Sequence, residues 1–66
     1  MKVKMTGLYH LNDTRPAWYR KLGDCFDFVN TEDAASELTK EEVDKVMEHK
    51  DWYMKMYGAS EMAVVE

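Results

Sequence analysis

The run from Thr39 to Gly58, TKEEVDKVMEHKDWYMKMYG, constrains this chain more than any other stretch. Thr39 followed three residues later by Glu42 matches a capping box, in which each residue satisfies an orphan N–H of the other. Glu41, Glu42 and Asp44 place negative charge at the positive end of the helix dipole. Gly58 suits the end of the helix, since glycine enters the left-handed region without steric cost. Val43, Val46, Met47, Tyr53, Met54 and Tyr57 fall on one stripe at helical spacing. Lys50 lies within that stripe and must snorkel or sit at its edge. The pattern predicts helix from Lys40 to Tyr57. Trp52 and Met56, one turn apart, point away from the stripe. Either the helix breaks near His49–Trp52, or it carries an exposed apolar pair.

The N-terminal half reads as strands. In residues 2–11, KVKMTGLYHL, Val3, Met5, Tyr9 and Leu11 alternate with Lys4, Thr6 and His10, and Leu8 breaks the pattern. Gly7 suggests a bulge or a close backbone approach. Asn12 to Pro16 is a turn by composition. AWYRKL reads as a second strand, with Trp18, Arg20 and Leu22 on one side and Tyr19 and Lys21 on the other. Gly23-Asp24 fits a two-residue hairpin loop of type II′, returning Cys25–Val29 as a third strand. A competing reading makes Pro16–Phe28 a helix. Thr31 can cap a short helical turn in 30–38, and Met62–Val65 forms a last strand that pairs inside the sheet.

The expected fold is α+β. A mostly antiparallel sheet of three to four strands carries one main helix on one face, in the order β-β-β-α-β. The expected core is Val3, Met5, Tyr9, Leu11, Trp18, Leu22, Phe26, Phe28, Val43, Val46, Met47, Met54 and Val64. Met62 joins it as an adaptable packing group.

Sixty-six residues make one domain, spanning 1–66. A domain this short is marginally stable unless assisted. Cys25 is the only cysteine, so no disulfide forms within the chain, and a lone thiol fits the reducing cytoplasm. No apolar run approaches membrane-spanning length and no secretory leader is evident, so no membrane contact is expected. Self-association is then the obvious way to bury more surface.

Chemistry-bearing sets are sparse. His10, Cys25 and His49 are far apart, and only His49 has carboxylates near it, Glu48 and Asp51, so no metal or cofactor is expected. Asp24 and Asp27 flank Cys25 and would raise a thiol pKa, which fits a small, buried or half-buried residue better than a nucleophile. Carboxylate pairs such as Glu41/Glu42 need a cleft that a chain this small hardly provides. The three glycines, Gly7, Gly23 and Gly58, are isolated, so no phosphate loop exists. The chain is read as non-enzymatic.

Two binding readings remain. Charge is segregated: residues 1–23 carry five basic side chains against Asp13, whereas residues 24–51 carry ten acids against Lys40, Lys45 and Lys50. The net charge of −4 disfavours nucleic acid and attracts basic protein surfaces. The first reading is therefore a protein-interaction or regulatory protein. Its contact surface is Trp52 and Met56, rimmed by Glu48 and Lys55, and it meets another protein or a second copy. The alternative is a nucleic-acid-associated module in which Arg15, Trp18, Tyr19, Arg20 and Lys21 interleave charge and stacking groups.

Asp33-Ala34, Thr39, Glu41-Glu42-Val43 and the terminal Val64-Val65-Glu66 together resemble a layout common in small phage and prophage proteins. In these, a short sheet precedes a "DA…T-x-E-E-A" stretch, a helix and a final "-VVE" strand. The resemblance covers the C-terminal half. It implies an accessory or host-interaction role and no shared catalytic residues.

Overall fold

The computed structural model describes residues 1–7 and 16–66. Tyr9, Leu11 and Arg15 therefore lie outside the described residues, as do His10 and the 12–15 part of the expected turn. Four strands, β1 (Lys2–Thr6), β2 (Ala17–Leu22), β3 (Cys25–Val29) and β4 (Glu61–Val65), form one antiparallel sheet in the order β3-β2-β1-β4. The competing helix over Pro16–Phe28 is excluded. β4 begins one residue earlier than expected and lies at a sheet edge, paired with β1 alone.

Between β3 and β4 the chain makes a 3₁₀ turn, Glu32–Ala34, and two helices, α1 (Lys40–Glu48) and α2 (Lys50–Tyr57). The expected turn is present, but Thr31 makes no side-chain cap to it. The main helix is broken within the expected His49–Trp52 window, and Trp52 and Met56 are exposed as well. His49, at φ −106° and ψ 26°, ends α1 and starts α2. No proline or glycine causes this break. Tyr53, which shares the stripe with Val46, is the buried residue of α2, and Lys50 lies half-buried beside the break.

The capping box is complete. Glu42 N–H donates to Thr39 Oγ1 at 3.2 Å, and Thr39 N–H donates to Glu42 Oε1 at 3.0 Å. Leu38, directly before the cap, is buried in the same cluster as Val43. That is the placement of a hydrophobic staple, which fixes how the chain enters the helix. Gly58 ends α2 in the left-handed region at φ 69°.

The main core comprises Val3, Met5, Tyr19, Leu38, Val43, Val46, Tyr53 and Met62. Phe26, Phe28, Met47 and Met54 pack against it half-buried, as do Met1, Tyr57 and Ala59. The sidedness of β2 is the reverse of the expectation. Tyr19 faces the core, while Leu22 is 47% exposed. Trp18 is buried on the opposite sheet face, with Lys4 Nζ 5.8 Å from its ring centre. The cause is register. Tyr19 pairs with Phe28 and Lys21 with Phe26, so the two phenylalanines share a face with Tyr19, not with Trp18. Val64, also expected in the core, is on an edge strand and is exposed.

Gly7 bears out the close-approach reading. At φ +74°, a Cβ there would lie 1.8 Å from Ser60 Oγ and 2.8 Å from Ser60 Cβ. Ser60 is held in place by its N–H, which donates to the Thr6 carbonyl at 3.0 Å. Gly7→Ala is expected to destabilise by about 2 kcal/mol, combining left-handed strain with the clash. Ser60→Gly in the same chain should recover part of that loss in a denaturant titration. Full additivity of the two changes would show that the Ser60 contact is irrelevant.

Charged contacts tie the layers together. Lys21 Nζ on β2 meets Glu42 Oε2 on α1 at 2.8 Å. Lys21, then the Thr39 amide, holds the Glu42 carboxyl down from the ordinary 4.5 to about 2. A depressed carboxylate adds stability above its unfolded-state pKa and loses it as pH falls through the folded value. The denaturation midpoint should therefore fall between about pH 5 and pH 2, and Glu42→Gln should flatten that limb. An unchanged acid limb in the variant would contradict the assignment.

Candidate protein-interaction surface

α2 lies over the β2–β3 side of the sheet through an aromatic network. Tyr53 is the hub, with ring centres 6.2 Å from Tyr19, 5.2 Å from Phe26, 5.9 Å from Phe28 and 5.1 Å from Trp52. Tyr57 continues it, 4.8 Å from Phe28, and Trp52 meets Phe26 edge-on at 6.4 Å. Most of these pairs are edge-to-face, the geometry that the ring quadrupoles favour. Burial pushes the phenol pKa values of both Tyr19 and Tyr53 up.

The network runs from the core to the surface. Tyr53 is buried, Phe26 and Phe28 are half-buried, and Trp52 and Met56 are 52% and 56% exposed. The Trp52 ring rests edge-on against Phe26 and Tyr53. An open hollow of ≈ 400 Å³ lies between Phe26, His49, Trp52 and Tyr53. Glu48 and Lys55 are exposed, as a polar rim requires. The surface flanks β3, a sheet edge with no strand paired to its outer side among the described residues.

The residues of the nucleic-acid reading are placed differently. The Trp18 and Tyr19 rings are buried on opposite faces of the sheet. Arg20 makes a two-pronged ion pair with Asp27, with Nε to Oδ1 at 2.8 Å, and Lys21 is paired with Glu42. The Arg20 guanidinium in turn holds the Asp27 carboxyl below its usual range. These four residues thus form no joint stacking surface.

Cys25 is exposed, a correction to its expected burial, and it lies at the start of β3. Among the described residues, no three His, Cys, Asp or Glu side chains are grouped closely enough to hold a metal ion. No described helix is long and apolar enough to cross a membrane. Sequence reasoning did not find β3 as part of the surface. The available signal was the alternation of Phe26 and Phe28 beside a hairpin turn. No family model, curated protein or solved structure matches the chain.

Proposed function

We propose that this chain is a small non-enzymatic protein-interaction protein that binds another protein, and itself, through the outer side of α2. The observation that carries the reading is the exposure of Trp52 and Met56, one turn apart, beside half-buried Phe26 on an open sheet edge. Exposed tryptophan beside a hollow with a charged rim is the composition of an interface hot spot. The acidic middle of the chain favours a partner with a basic surface. The likeness to small phage and prophage proteins points to a host or phage protein as that partner, and the lone thiol to the cytoplasm as the place of action.

Immobilised wild-type protein and immobilised Trp52→Ala protein provide the test. Wild type should retain untagged copies of the chain and partner proteins that the variant does not, with both baits melting cooperatively. Equal retention by a folded Trp52→Ala bait would overturn the reading.

A further inference from the structure

The outer edge of β3 has a definite hydrogen-bonding face, and its orientation follows from contacts on the far side of β2. Ser36 N–H donates to the Tyr19 carbonyl at 3.1 Å, and Lys21 N–H donates to Ser36 Oγ at 2.7 Å. The backbone groups of Tyr19 and Lys21 therefore point away from β3, and those of Trp18, Arg20 and Leu22 point toward it. Their register partners Val29, Asp27 and Cys25 must then direct their own groups back at β2. Alternation leaves the N–H and C=O of Phe26 and Phe28 facing outward, without a strand partner among the described residues.

The sequence of this edge, Cys25-Phe26-Asp27-Phe28-Val29, is symmetric about Asp27 in its central three residues. We propose that β3 pairs antiparallel with β3 of a second copy, on a two-fold axis through Asp27. Each Phe26 then exchanges both backbone hydrogen bonds with Phe28 of the other copy. The inference rests on the reading that this side of the molecule is a contact surface, and it names the occupant.

Three features favour a second copy over an unrelated strand. A two-fold contact sets the same patch against itself, and Phe-Asp-Phe is self-complementary under that operation. The side chains of Phe26 and Phe28 face the core side of the sheet, so cross-strand Phe–Phe pairs would continue the aromatic network across the joint. Trp52, beside Phe26, would then reach Phe28 of the second copy, covering the exposed ring. Opposed Asp27 carboxylates would repel, but each is already paired with its own Arg20. The outer face of the joint is thus a charge-balanced row of arginine, two aspartates and arginine.

The register makes a cross-linking prediction. Cys25 of one copy should stand opposite Val29 of the other, at a separation a disulfide spans (roughly 4.4–6.8 Å between Cα atoms). Within one chain the same positions are four strand residues apart, about 13 Å, and cannot bridge. Val29→Cys should therefore give disulfide-linked dimers under mild oxidation. Wild type, with Cys25 alone, should not, and neither should Cys25→Ser combined with Val29→Cys.

A second measurement uses the unaltered protein. Amide hydrogen exchange at Phe26 and Phe28 should slow as protein concentration rises, while exchange at Cys25 and Asp27 stays concentration-independent. Exchange at Phe26 and Phe28 that is independent of concentration, or that slows only when another protein is added, would overturn self-pairing. So would a folded Val29→Cys protein that fails to cross-link, or ready Cys25–Cys25 bridging in wild type. Association that depends on Trp52 without this cross-link would sink the register and leave the contact-surface reading standing.

Discussion

Tyr53→Ala should abolish the cooperative thermal transition, or bring it close to room temperature. Tyr53 is buried and its ring adjoins Tyr19, Phe26, Phe28 and Trp52. Removing a buried aromatic ring costs about 3–5 kcal/mol through lost burial and the cavity left behind. Scaled to a chain of 66 residues, ordinary domain stability is roughly 3–10 kcal/mol, so the substitution removes much or all of it. Tyr53→Phe keeps the ring and should cost only about 1 kcal/mol. Circular dichroism melts of the three proteins check this. A Tyr53→Ala melt within a few degrees of wild type would show that α2 does not depend on its aromatic hub.

Trp52→Ala should have the opposite profile, with a small effect on folding and a large one on association. Half of the residue is already in water and its ring meets Phe26 and Tyr53 edge-on, so its removal exposes less apolar surface than removal of the buried Tyr53. A central interface tryptophan, by contrast, commonly carries about 3 kcal/mol of binding, on the order of a hundredfold in affinity. Met56→Ala should follow in the same direction with a smaller loss, since a flexible thioether adapts to its surroundings. Isothermal titration of labelled against unlabelled chain, beside a denaturant titration, separates the two effects. A loss of folding stability equal to the loss of association would make Trp52 an ordinary packing residue.

The two variants divide one helix into a folding face and a contact face, and the sequence makes only part of that division readable. The capping box at Thr39 and Glu42 and the stop at Gly58 were legible because each is settled by a few neighbouring residues. The break at His49 falls within the window, His49–Trp52, to which the misfit of Trp52 and Met56 with the stripe points. The sidedness of β2 is not legible from alternation alone, which does not say which side is buried. The missing constraint was available. A two-residue turn at Gly23-Asp24 fixes Phe28 opposite Tyr19, so placing the phenylalanines in the core places Tyr19 there and sends Leu22 to the surface. Leu38 could likewise have been found as the staple residue before the cap. The exposure of Trp52 was legible as a conflict between two helix faces. Its position beside the open edge of β3 was not, because sheet order is decided by pairings distant in sequence, such as Val3 with Val64.

Sedimentation equilibrium of wild type and Trp52→Ala, from micromolar to millimolar concentration, tests the contact surface most directly. The apparent mass of the wild type should rise with concentration from that of the 7.8 kDa monomer toward twice that value. The folded Trp52→Ala protein should remain monomeric throughout the same range. Identical sedimentation of the two proteins, whether both monomeric or both dimeric, would contradict the claim that this chain associates through Trp52.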